Sequence, residues 1–544
     1  MRTVPPTLRR SLLVILPIAA TLSPALPATA QEPTHIEGLG SLAFPNSGAE
    51  AAQHDFLRGV LLLHSFEYDY AAEAFRAAQE ADPDFALAYW GEAMTYTHPV
   101  WDEKDPEAAR AALNRLAPSP EARQAKAPTA REKGYMQAVE VLYGDGPKER
   151  LDTLYSAEMA ALAEAYPEDL EAQAFHALSL LGLSQGNRDV PTYMRAGAIA
   201  LDVFEKNPGH PGAAHYTIHS FDDPTHAPLA LKAAWAYGPI APDAGHAQHM
   251  TTHIFLAMGM WDDVVEANIR ADAVTDRNLA ARGLPQTDCG HYNQWLMYGY
   301  QQQGRYEDAE ALLMGCYAQA HDERLPAGMR QGAAFSYVLQ RAVHLADTRD
   351  GDGEPAHSTL EFPEDAIVPR MLQAWGDGVA AVHRGDMEAA HTSLAYLSQH
   401  EQTVPDHWVS PYAPVWRGTL EAYARMHMGD GEGALAAAHG AAEYEAALPV
   451  DFGPPIAAKP ARELEGEILL ELGRAEKAMT AFSLALGRTP NRIHALMGYA
   501  HAAEAAGHTD VAEETMAQLH TLLAKGDRGA MQGHSMEGRS MEAR

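Results

Sequence analysis

Two stretches near opposite ends of the chain carry the same residues at the same offsets, and this repetition constrains the fold more than any other feature. Counting from Ala52, positions 8, 20, 24, 27 and 32 are Gly59, Ala71, Phe75, Ala78 and Pro83. Counting from Lys459, they are Gly466, Ala478, Phe482, Ala485 and Pro490, with Gly473 between the two halves. Small residues let two helices approach closely, an aromatic ring fills the gap between them, and a proline ends the second helix. The pattern describes an antiparallel helix pair of about 34 residues. One such pair cannot bury its apolar face alone, so the chain must stack many of them.

The same register runs through the middle of the chain. Pro208 closes one unit, the next starts at Pro211, and Pro242 falls on its closing position. The unit after that starts at Gly245, with Phe255 as aromatic knob, Gly259 at the turn and Ala271 in the packing stripe. A further unit starts at Gly290, with Gly304 at its turn and Ala309 behind it. Helix pairs are expected over 369–400, 412–447 and 492–523, turning at Gly385, Gly429 and Gly507. The helix over 85–96 begins a unit with Gly91 at the close-approach position, and its partner over 105–116 is less regular. Residues 347–364, rich in Gly, Asp, Pro and Glu, read as a loop between an N-terminal solenoid (31–346) and a C-terminal one (365–524). The tail 525–544 lacks apolar periodicity and reads as disordered.

Residues 1–30 read as an export signal: Arg9 and Arg10, an apolar stretch over 11–22, then Ala28 and Ala30 before the expected cleavage. A periplasmic or secreted location follows, with no stable membrane insertion, because no later stretch reaches the roughly 20 apolar residues of a span. Cys289 and Cys316 fall on opposite arms of one helix pair, near its open end, where either a disulfide or two buried thiols fits. With 40 basic and 73 acidic residues the net charge is −33. Such a surface repels phosphate backbones and argues against nucleic acid as a partner.

The repeat resembles the tetratricopeptide-repeat superfamily over most of the chain. That resemblance implies an all-α tetratricopeptide-repeat solenoid, with antiparallel helix pairs stacked into a right-handed superhelix. The segments His210-Pro-Gly-Ala-Ala-His215-Tyr-Thr-Ile-His219, Gly245-His246-Ala-Gln-His249-Met-Thr-Thr-His253 and Cys289-Gly-His291-Tyr-Asn-Gln-Trp295 are similar to bacterial proteins related to the tetratricopeptide repeat protein 38 group. No activity comes with this likeness.

The superfamily implies that positions 2, 5, 9, 12 and 13 of each first helix line the concave surface. His215 and His219 hold positions 5 and 9 of the unit at Pro211. His246, His249 and His253 hold positions 2, 5 and 9 of the next, and His291 holds position 2 of the one at Gly290. Residues four apart on a helix differ by about 40° around the axis, and neighbouring helices pack about 8–10 Å apart. Six imidazoles therefore converge. Three readings are open: a bound transition metal (Zn, Cu, Ni or Fe), a groove for a polar ligand, or a hydrogen-bonded structural network. Asp222, Asp223 and Asp243 are candidate ligands or supporting partners. Glu92, at position 9 of the unit at Asp84, also faces inward, either as a solvated carboxylate or as a base.

No phosphate loop, dinucleotide fingerprint, nucleophile elbow, haem attachment motif or zincin motif is present. An enzymatic reading thus rests on the histidines alone. The other class of function is a binding scaffold, holding a protein, peptide or small ligand in the concave groove, with the acidic charge favouring basic peptides. Trp90, Trp101, Trp235 and Trp295 are expected as core knobs. Met531, His534, Met536 and Met541 read as tail residues, with weak copper binding as the alternative.

Overall fold

The computed structural model describes residues 33–184, 188–286, 289–450 and 452–527. The expected export signal, and the tail from residue 528 with its Met and His residues, lie outside these. The fold is all-α: helix pairs of the tetratricopeptide type follow one another as a solenoid from Glu50–His64 with Tyr68–Ala81 to Ile493–Ala506 with Thr509–Leu522.

The two repeat copies show how the pattern works. The Phe75 ring is wedged between Gly59 and Gly91 on successive first helices, and a Cβ at either would lie 2.8 or 2.3 Å from it. Phe482 is wedged in the same way between Gly466 and Gly498, at 2.9 and 2.2 Å. One ring thus closes two helix contacts. Truncating such a ring costs about 3–5 kcal/mol in transfer and cavity energy. The expected turn glycines Gly259, Gly304, Gly385, Gly429, Gly473 and Gly507 all have positive φ, between 65° and 85°. L-residues with a Cβ resist this conformation.

Departures from regular repeats cluster in the middle. Between Pro211–Phe221 and its partner Leu231–Ile240 lies a nine-residue connection holding the short 3-10 turn Ala227–Leu229. Pro239 sits inside the partner helix, near its end. Helix Trp261–Ala281 runs 21 residues, longer than a regular second helix. Two small antiparallel hairpins, Thr34–Ile36 with Gly40–Leu42 and Thr97–His98 with Glu103–Lys104, were not anticipated. They tie loops rather than form a layer.

Residues 347–364 are well anchored. They include the short helix Glu354–His357. The guanidinium of buried Arg341 donates to the carbonyls of Pro355 and Ala356 at 2.6 and 3.0 Å. One apolar core runs past this stretch from Val203 to Ile468, and a second runs from Leu39 to Tyr216.

The chain also curls back on itself. Trp261 Nε1 donates to the Asn491 carbonyl at 2.9 Å, and Asn491 Nδ2 to the Gly259 carbonyl at 3.2 Å. From the other end, Ser41 N donates to the Gly209 carbonyl at 2.8 Å and Asp243 N to that of Gly38 at 3.0 Å. The units that carry the histidine segments are therefore gripped from both ends of the solenoid.

Candidate metal centre

All six histidines found from the register come together. Five form a closed circuit of rings, with centroid separations of 4.8 Å (His215–His219), 5.5 Å (His219–His253), 5.2 Å (His253–His249), 6.2 Å (His249–His246) and 5.1 Å (His246–His215). His291 joins at 4.5 Å from His249. Ligand nitrogens of His215, His219 and His246 lie within 4.8 Å of one another, as do those of His249, His253 and His291.

Instead of an open groove, the rings occupy an enclosed centre. His215 and His249 are fully buried, His219, His246 and His253 nearly so, and His291 is the exposed member at the edge. Phe66, in the turn after the first helix, lies 4.3 Å from His215 and stacks on His219 and His246 at 5.9 and 5.6 Å. Phe66 has φ 55°, a left-handed conformation held by its neighbours. Trp295 stacks on His253 at 4.5 Å, and Phe452 covers His253 at 5.0 Å. Tyr292 stacks on His249 at 4.6 Å. The lids come from residues 66 and 452, which only the curling of the chain brings together.

Hydrogen bonds fix the ring orientation of His215, His249 and His253. His215 Nδ1 donates to the His64 carbonyl at 2.7 Å. His249 Nδ1 donates to Asn268 Oδ1 at 2.8 Å. The Asn268 amide is oriented in turn, because its Nδ2 donates to the Val264 carbonyl at 3.0 Å. His253 Nδ1 donates to Asp222 Oδ2 at 3.1 Å, and His219 Nδ1 is 3.5 Å from the same oxygen. Anchoring one nitrogen leaves the other as a lone-pair donor. Nε2 of His215, His219, His246 and His249 are buried with no hydrogen-bond partner among the described residues.

Electrostatics disfavour the protonated form of five of these rings. Burial first, then the neighbouring imidazoles, push His215, His246 and His249 well below the ordinary imidazole value. His291 and His253 are lowered too, His253 despite its carboxylate partner. Burial alone would raise Asp222, but Arg188 and the two imidazoles hold it well below the usual carboxylate range. Neutral imidazole is the metal-binding form.

Three further groups position the helices. Glu67, beside Phe66, accepts from the backbone N of His246 at 3.1 Å and so caps that helix. Gly212 admits His64: a Cβ there would lie 2.3 Å from His64 Nδ1. The disulfide Cys289–Cys316 ties the residue just before Gly290 and His291 to helix Tyr306–His321.

A second buried cluster, His64, Glu171 and His210, was not found from the sequence. Its ligand atoms are as close together as those of the other sets. Its hydrogen bonds, however, are complete. Glu171 bridges His64 Nε2 at 2.8 Å and His210 Nε2 at 3.1 Å, while His64 Nδ1 meets Tyr216 Oη at 2.8 Å and His210 Nδ1 accepts from Ala213 N at 3.2 Å. Burial would raise Glu171, but the two imidazoles bring it down to about 2. This network braces the His64 backbone against which His215 leans.

The acidic candidates separate. Asp222 orients two rings of the centre. Asp223 pairs with Arg188 and His226. Asp243 pairs with Arg277 near the surface, away from the rings. Glu92 is not solvated: it is fully buried, paired with Arg76 at 2.8 Å and with Arg115. Trp90 and Trp295 are core residues, whereas Trp101 and Trp235 are exposed. No described helix is long and apolar enough to cross a membrane.

No protein-family model matches the chain, and no curated protein does. Among solved structures it is similar to the Cut9–Hcn1 hetero-tetramer of the APC/C (14% identity, 87% of this chain and 78% of that one, TM-score 0.33). It is also similar to yeast Tom70 (12%, 87% and 98%, TM-score 0.33) and to the human IFIT1 dimer with PPP-AAAA (12%, 87% and 91%, TM-score 0.31). TM-scores of this size carry no argument about function, and the solenoid stands on its own helix packing.

Proposed function

We propose that this protein holds a transition-metal ion in the buried histidine centre, with His215, His219 and His246 as ligands, and that it works in an oxidising compartment after export. The observation that carries the reading is that all three ligand rings present a buried, unpartnered Nε2. Buried polar atoms ordinarily find partners, and in the neighbouring His64–Glu171–His210 network both buried imidazoles are fully hydrogen-bonded. Zn, Cu, Ni and Fe all suit imidazole nitrogen. Three protein ligands leave a coordination position for a water or substrate, as in catalytic rather than structural sites. A metal bound there would supply Lewis-acid or redox chemistry to a small ligand admitted past Phe66 or Phe452.

Elemental analysis of tag-free protein from its native compartment tests this reading. At least one equivalent of metal is expected, lost in His215→Ala and His246→Ala. Metal-free protein with no affinity for zinc or copper would refute it.

A second reading, an interaction scaffold, draws on the open groove of about 920 Å³ between the N-terminal hairpin and the middle units. Glu37, Glu50, Glu67 and Asp243 outnumber Arg58 and Arg277 along it. A basic peptide is its natural occupant, and calorimetric titration with such peptides checks it.

A further inference from the structure

We infer that the centre is built for two metal ions side by side, the second held by His249, His253 and His291, and that the pair takes a small bridging anion or oxygen donor. The inference rests on the metal reading above and extends it to three residues that reading does not use.

The second set has its own geometry. Its ligand nitrogens lie within 4.8 Å of one another without help from the first set. His249 and His253 stand one helical turn apart on Gly245–Ala257, and His291 begins the next first helix. It has its own support as well. Asn268 fixes His249 so that its buried, unpartnered Nε2 faces the set. Asp222 serves both sets at once, meeting His253 in one and His219 in the other. Shared second-layer partners of this kind are how metal sites orient their ligands.

The two sets are neighbours, joined where His219 meets His253 at 5.5 Å and His246 meets His249 at 6.2 Å. Two-metal sites hold their ions about 3.5–4 Å apart and bind a bridging oxygen ligand between them, and two sets whose rings touch in this way offer adjacent positions for such a pair. Charge points the same way. Asp222, the carboxylate that meets the rings, is already paired with Arg188, which leaves the ions' positive charge for an anion to balance.

Titration of the metal-free, tag-free full chain with Co(II) alone tests the inference. Two equivalents are expected, magnetically coupled in the electron paramagnetic spectrum. His291→Ala, at the exposed edge, and His249→Ala should each bind one equivalent with no coupling, and circular dichroism should show His291→Ala folded. A single equivalent in the native chain, or two that persist in both variants, overturns the second site and leaves the first standing. No binding at all overturns both.

Discussion

Asn268 Oδ1 accepts a hydrogen bond from His249 Nδ1 at 2.8 Å, and the Asn268 amide is itself pinned by the Val264 carbonyl. This pair fixes the His249 tautomer from outside the centre, on the second helix of its own unit. Removing such a partner typically weakens metal binding about 10–100-fold. Asn268→Ala should therefore lower the zinc affinity of the His249–His253–His291 set by that factor while the folded state persists. Asn268→Asp, which keeps an acceptor in place, should largely restore it. Competition with a chromophoric chelator measures both.

A second expectation concerns acid. Arg492 is fully buried between Asp347 and Glu463, and Lys459 meets Glu463 at 2.5 Å. Burial would raise Glu463, but Arg492 and Lys459 hold it below its ordinary 4.5. Glu171 is likewise held at about 2. A carboxyl depressed in the folded state contributes stability above its unfolded pKa, which is lost as pH falls through the folded value. The melting temperature should drop between about pH 4.5 and pH 2. Arg492→Met strands buried Asp347 and leaves Glu463 to Lys459 alone, and should cost about 3–5 kcal/mol at neutral pH, with a shallower fall in acid.

The disulfide makes a third. Cys289–Cys316 closes a 27-residue separation, worth about 3–4 kcal/mol in the chain-entropy picture. Cys289→Ser should lower the melting temperature. It should also weaken binding that depends on His291 more than binding that depends on His215. Thermal melts and metal titration of the variant check the two effects separately.

The histidine centre was legible because its parts obey a count. Pro208 and Pro242 fix one register, and helical spacing then places His215, His219, His246, His249, His253 and His291 on one face. His64 was legible by the same arithmetic, as position 13 of the unit at Ala52. It was missed because it stands alone in its segment. What the count cannot supply is contact between distant parts of the chain. Phe66 and Phe452 turn a groove into an enclosed centre only because both ends of the solenoid fold back on its middle. Arg188 and Asn268 act through side-chain directions that no spacing encodes. Glu92 shows the same limit: the count puts it on the concave face, but it is buried among arginines from a neighbouring second helix and from the irregular partner over 105–116.

The central claim is that the inward nitrogens are ligands. An anomalous difference map from crystals of tag-free protein, collected at the absorption edge of the metal found by elemental analysis, tests it most directly. The account predicts a peak about 2 Å from Nε2 of His215, His219 and His246. Ordered water hydrogen-bonded to those three nitrogens, with no anomalous peak, would contradict it.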